Sequence, residues 1–199
     1  DRLEVIHDGK PFFFFFVDEI TGIGITTKKD DLTAIWKFGV GFKSVFAVSR
    51  NPSIHSGRFH FEIQEFVLPN LLAGNGNTQD TRFVIPLNHE KRTTDDLHNL
   101  IAAKLQNLEE HTLLFLSSIK EIIWKTPGSE GHYYKEVEHI GVELEAKMAS
   151  MVSCVNGEEK IQEFLVFTRP MKIAGETHRI EIAYGLENDK DGNKRIVPV

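Results

Sequence analysis

The sequence predicts an α+β chain in two parts, a mixed α/β segment up to about Leu87 followed by a helix-led, β-rich region. Three observations carry that expectation. Leu97, Leu100, Ile101, Leu105 and Leu108 fall on one face of a helix over residues 93–108, and Thr93 with Asp96 has capping-box spacing. Phe42, Val45, Phe46 and Val48 are spaced for a short helix that begins right after Gly41. Beyond Leu108 the pattern turns to β, with strands expected over 119–125, 133–140, 142–148, 163–168 and 179–186. A boundary near His89 would divide 1–88 from 89–199.

The first part reads in order as follows. Residues 3–7 form a short apolar strand that ends in the turn "HDGKP". Residues 12–27 are ambiguous, a phenylalanine run followed by "DEITGIGITT". "PSIHSGRFHFEIQEFVLP" alternates at Phe59, Phe61 and Ile63 and breaks at Ser56-Gly57, which predicts a hairpin. "NLLAGNGNTQD" reads as a loop and residues 81–87 as a further strand. In the second part turns fall at "TPGSEG", "VNGEEK" and "NDKDGN", the last a solvated hairpin loop.

The chain has 199 residues, 41% hydrophobic and 26% charged, which suits a globular fold able to bury a core. A net charge of −6 without a basic run gives no whole-chain footprint for nucleic acid. A single cysteine, Cys154, excludes an internal disulfide framework and suits a reducing compartment. The longest apolar run, "FFFFFV", is too short to cross a bilayer, and no leader opens the chain. The expectation is a cytoplasmic protein with no membrane partner. Both ends read as cut: Asp1 runs at once into "LEVIH", and "RIVPV" reads as mid-strand.

Chemistry concentrates at "KFGVGFKSVFAVS". Glycines at a helix N-terminus let a phosphate reach several backbone N–H groups, but glycine serves ordinary turns as readily. Phe42 separates Gly41 from Lys43, so the P-loop pattern fails, and "TKKDDLTAIWKF" is a poor strand for the dinucleotide fingerprint. The nine histidines lack zinc spacing, with His55 and His60 read as surface residues on the hairpin, and no serine-hydrolase elbow occurs. Trp124, Tyr133 and Tyr134 read as core rather than base-stacking residues.

Asp-x-Gly at a strand end (Asp8, Gly9), a glycine-rich stretch, Gly-x-Gly-Phe opening a helix and a Thr starting a later strand (Thr81) follow one another along the chain. In that order they resemble the GHKL ATPase superfamily of gyrase, the heat-shock chaperone, histidine kinases and MutL, and its chaperone-like, sacsin-like branch in particular. The resemblance implies an incomplete Bergerat-type α/β sandwich, a mixed sheet with helices on one face, followed by a transducer- or middle-like region. It implies ATP as ligand, with Mg²⁺ in the intact parent. Asp8 would accept from the adenine amino group, Gly9 would allow the base close, and Thr81 would bond near the adenine. Gly39, Val40, Gly41 and Phe42 would present N–H groups to the phosphates, with Lys43 and the lid lysine Lys28 adding charge. Lid closure would reposition the following region, and the implied partners are ATP or ADP, further domains of the parent and a second copy in a homodimer. For each residue a plainer reading stands beside this one: a turn aspartate, a β-branched strand residue, solvated lysines.

The family's Glu-x-x-x-Asn helix, which supplies the base and the metal ligand, belongs upstream of Leu3, where only two residues stand; the 199 residues are therefore expected to hydrolyse ATP poorly or not at all. The second glycine of the Asp-x-Gly-x-Gly box is replaced, and Trp36 takes a place usually small. The Phe12–Phe16 run reads as packed core, a partner surface or a misread stretch. Two rivals remain: a non-enzymatic interaction module that keeps the fold without ligand, and a degenerate P-loop NTPase, which a parallel sheet would support.

Overall fold

A computed structural model of the chain describes residues 1–22, 41–74, 76–140, 145–173 and 175–197. The chain divides into two compact units, Asp1–Leu100 and Ile101–Val199.

The first unit holds a five-stranded sheet: β1 (Arg2–His7), β2 (Ser53–Gly57), β3 (Phe59–Gln64), β4 (Leu68–Leu71) and β5 (Thr78–Pro86), in the order β1-β5-β2-β3-β4. Every neighbouring pair is antiparallel. Directly paired residues share a face, so Ile54, Phe61 and Ile63 line one side with Phe83 and Ile85. On that side Phe12, Val17 and Ile20, from and just before helix α1 (Phe14–Thr21), pack with Phe42, Val45 and Phe46 of a 3-10 helix (Phe42–Ala47). The opposite face is polar, with Arg82 and Arg2 paired to Glu4. The phenylalanine run splits its duties: Phe12 joins the core, whereas Phe13 and Phe14 are exposed.

The second unit is a six-stranded antiparallel meander. Its strands are β6 (Glu121–Thr126), β7 (Ser129–Ile140), β8 (Ala146–Val155), β9 (Glu158–Ile173), β10 (Glu176–Asn188) and β11 (Lys194–Val197), each paired with its successor. Type-compatible turns make the meander: Gly128 and Gly157 sit at positive φ between β6 and β7 and between β8 and β9. One face carries Trp124, Tyr133, Met151, Phe164 and Val166, covered by Leu113 and Leu114 of a 3-10 turn (Glu110–Leu113) and its end. Lys135 reaches across to donate to the carbonyls of Leu113 and Leu116, and burial pulls its pKa down. Trp124 and Tyr133 are core residues, whereas Tyr134, also expected in the core, falls on the other face of the sheet by alternation, half-buried with its ring 5.0 Å from that of His132. Helix α2 (Thr94–Gln106) begins at the Thr93–Asp96 capping box, with Thr93 Oγ1 donating to Asp96 at 2.7 Å and accepting the Asp96 N–H at 3.1 Å.

These sheets correct the expected fold class. An α/β sandwich needs a mixed sheet under a layer of helices, but both sheets are antiparallel throughout, and strands make up most of the described chain. Among the described residues the α-helices are α1, of 8 residues, and α2, of 13. The segment after Gly41 winds only 6 residues of 3-10 helix before it stops. Asn51 precedes Pro52, whose ring disfavours helical backbone at the residue before it, so the segment cannot extend into a long helix. The parallel sheet required by a P-loop fold is absent among the described strands. The stretch read as a loop over residues 70–80 also changes: β4 takes in Asn70 and Leu71, and β5 takes in Thr78 to Asp80, so Thr81 lies inside that strand rather than at its start. The strand expected at 142–148 begins, within the described residues, at Ala146.

Candidate functional site

β1 runs antiparallel to its neighbour β5 with His7 opposite Thr81, and Ser56 of β2 lies opposite Thr81 on the other side. One row across three strands therefore reads His7, Thr81, Ser56. Asp8 follows one residue beyond its end, exposed at the tip of β1. Gly9 turns its N–H back to His7 Nδ1 at 3.0 Å, which makes that nitrogen an acceptor and puts the neutral ring's proton on Nε2. A Cβ at Gly9 would stand 2.9 Å from the same nitrogen, so a larger residue would disturb this turn.

Behind Asp8 the row is closed. Thr81 and Ser56 are fully buried, and their hydroxyls lie 2.5 Å apart. Ser56 Oγ also accepts the Phe12 N–H at 2.8 Å. Residues 11 and 12 thus cross the end of β2. Gly57, at φ +56°, gives them room, since a Cβ there would meet Pro11 Cβ at 3.2 Å. Thr81 anchors the strand tips through Ser56, and its hydroxyl is already engaged.

Phe83, two residues along β5 on the same face, gathers rings from three segments. Its centroid lies 6.0 Å from His7, 6.1 Å from Phe12 and 5.8 Å from Phe42. The start of the 3-10 helix and the tip of β1 therefore converge on one aromatic centre. Gly41, at φ −60° and ψ −49°, is in ordinary right-handed backbone that any residue adopts, so conformation alone does not demand glycine there. Its carbonyl accepts the Ser44 hydroxyl at 2.8 Å.

Lys43 is placed differently from the phosphate role. Its ammonium donates to the carbonyl of Thr21, at 3.4 Å, and to that of Phe66, tying the end of α1 to the β3–β4 turn. Burial lowers its pKa. Lys28, Gly39 and Val40 lie outside the described residues, as do the lid-like stretch and Trp36. The structure thus sets Asp8 and Gly9 just past His7, the strand partner of Thr81, brings Phe42 and His7 to a common neighbour in Phe83, and turns Lys43 to another duty.

Sequence reasoning missed Ser56, His7, Phe12 and Phe83. The alternation that marked Phe59 and Phe61 as inward also makes Ser56 inward once the hairpin turn is placed, and Phe83 shares Thr81's face by the same period of two. The pairing of β1 with β5 carries no local signal.

The hairpin histidines also depart from the expected surface setting. His60 is buried, with Nε2 2.8 Å from the Gly76 carbonyl and Nδ1 3.1 Å from His55 Nδ1. The carbonyl requires a proton on His60 Nε2, so His60 Nδ1 accepts from His55 Nδ1–H. Burial, His60 and Arg82 hold the His55 pKa below its usual value. No group of three or more His, Cys, Asp and Glu placed to hold a metal ion occurs among the described residues. No described helix is long and apolar enough to cross a membrane.

No family model matches the chain, and no solved structure matches it. Among curated proteins it is similar to Protein NO VEIN of Arabidopsis thaliana, 28% identical over 204 residues that take in 87% of this chain. The chain spans about 7% of that relative's length. The relative's name states neither ligand nor reaction.

Proposed function

We propose that the first unit binds the adenine end of ATP at the tip of β1, with Asp8 accepting a hydrogen bond from the exocyclic amino group. The observation that supports this reading is the strand register. It puts an exposed carboxylate one residue past a row whose far members, Thr81 and Ser56, are locked by a buried hydroxyl pair. An exposed carboxylate needs only its lone pairs to accept from an amino donor. The convergence of His7, Phe12 and Phe42 on Phe83 adds an aromatic wall under that tip. This order of residues along the chain is also what resembles the GHKL superfamily.

In this proposal Asp8 and Gly9 face the base, and Gly41 and Phe42 approach the nucleotide with backbone groups. Thr81 acts by fixing the strand tips, since its hydroxyl is bonded to Ser56. Lys43 holds α1 to the β3–β4 turn. Mg²⁺ would accompany the triphosphate in a longer parent, and no described residue is assigned as base or metal ligand. Binding, rather than hydrolysis, is the function proposed for these residues.

Thermal denaturation of the 199-residue chain with and without ATP–Mg²⁺ tests the reading. A ligand that binds only the folded form at about 100 times its Kd adds about 2.7 kcal/mol, a readily measured rise in Tm. Asp8→Ala should abolish the rise while leaving the ligand-free Tm in place, because the residue is exposed. An unchanged Tm at saturating nucleotide would favour the interaction module instead.

A further inference from the structure

The sheet of the second unit has a face that the described residues of that unit leave uncovered. Antiparallel sheets commonly pack one face and turn a polar face to water. Here the side opposite Trp124, Phe164 and Val166 is also apolar. Two rows of directly paired residues cross its centre: Met148, Leu165 and Tyr184 in one, and Ala146, Phe167 and Ile182 in the next. Ile182 is 54% exposed, Tyr184 41% and Phe167 37%. Phe167 and Tyr184 meet edge to face, with centroids 6.1 Å apart, so the patch is internally ordered. Apolar area continuous over neighbouring strands marks an interaction surface.

The charges flanking the patch suit one kind of occupant. On this face β9 presents Glu163, Leu165, Phe167 and Arg169 in succession, because side chains alternate. The order is acid, apolar, apolar, base, centred at the level of Val166. A twofold axis in the plane between two such faces, perpendicular to β9 at that level, sets Glu163 of one copy against Arg169 of the other. The same operation sets Leu165 against Phe167. The strip is therefore self-complementary, as an isologous interface requires. Glu163 and Arg169 each lie roughly 10 Å along the strand from the axis, so even at the ~30° crossing of aligned sheets two long side chains can meet. Lys194 of β11 pairs with Glu163 within the chain and orients that carboxylate.

We propose that this face pairs with the same face of a second copy, closing two six-stranded sheets into a sandwich. The inference is independent of the nucleotide reading, since it draws on no residue of the first unit.

Sedimentation equilibrium of the 199-residue chain is the test, with charge reversals as the probe. The wild-type chain should show a concentration-dependent monomer–dimer equilibrium. Arg169→Glu and Glu163→Arg should each weaken it by at least about tenfold by setting like charges together. The double reversal should bring it back to near the wild-type value. Ile182→Lys, at an exposed position, should dissociate the dimer while far-UV circular dichroism stays unchanged, which covers the case of a charge variant that folds poorly. A wild-type chain that stays monomeric at its highest soluble concentration overturns the proposal and leaves the face to another partner. A double reversal that fails to recover, in a folded protein, overturns the pairing.

Discussion

Ser56→Ala is the sharpest perturbation of the row behind Asp8. Its hydroxyl serves two groups at once: it lies 2.5 Å from Thr81 Oγ1 and accepts the Phe12 N–H at 2.8 Å. Alanine removes both contacts and leaves a fully buried threonine hydroxyl and a half-buried amide without partners. Each orphaned group costs about 1–3 kcal/mol, and with Phe12 only half-buried the sum should be about 2–4 kcal/mol. That is a large share of the roughly 5–15 kcal/mol available to a typical domain. Thr81→Val keeps the shape and the Ser56–Phe12 bond, so it should cost only about 1 kcal/mol. The informative result is the double variant. Once Ser56 is alanine, replacing Thr81 by valine removes an orphan instead of a bond, so the second change should be neutral or stabilising. Urea unfolding by circular dichroism, with amide exchange in β5 to assign the loss to the first unit, measures all corners of this cycle. Thr81→Val costing the same in both backgrounds would refute the hydroxyl pair and the closed row built on it.

Other substitutions probe the remaining structure. A Cβ at Gly131 would stand 2.4 Å from the Trp124 indole, so Gly131→Ala should cost the second unit about 1–3 kcal/mol by overpacking, read as a drop in its unfolding midpoint with a blue-to-red change in Trp124 emission. Glu181 accepts from Lys147 at 2.7 Å in a largely buried pair; burial raises its pKa, but Lys147, Thr168 and Arg179 outweigh that and hold it lowered. Glu181→Gln should therefore destabilise the second unit at pH 7, and the gap from wild type should narrow as acid protonates the carboxylate, since a lowered carboxyl pKa stabilises only above it. His55 titrates in the opposite sense to a salt-bridged histidine. Its folded-state pKa is lowered, so the unfolded chain binds the proton more readily and stability falls as pH drops below about 6.5, the ordinary histidine value. His55→Gln should flatten that slope in melting curves recorded from pH 7 downward.

Much of the local structure was legible, and the reasons are local. Thr93 and Asp96 form their box within one turn of helix, and the meander's turns announce themselves through glycines at positive φ. β1 and the hairpin of β2 and β3 stand where alternation predicts them. What failed was assembly. The helical layer came from the family resemblance, yet the segment after Gly41 ends as a 3-10 helix at Ala47. The row through His7, Thr81 and Ser56 joins strands far apart in sequence, and no spacing rule gives their register. Lys43 shows the same limit: its type suits a phosphate, but its ammonium is bonded to the Thr21 and Phe66 carbonyls. Ser56, an unremarkable hydroxyl in the sequence, became central only through its neighbours.

Calorimetric titration of the wild-type chain with ATP and with GTP tests the central claim most directly, because the two ligands differ at the edge that Asp8 is proposed to read. Adenine presents an amino donor there and guanine a carbonyl acceptor, so a carboxylate should bind the first and repel the second. The account predicts saturable ATP binding at least about tenfold tighter than GTP binding, with the preference lost in Asp8→Asn, whose amide can also donate. Equal affinity for the two nucleotides, or a preference untouched by Asp8→Asn, would contradict it.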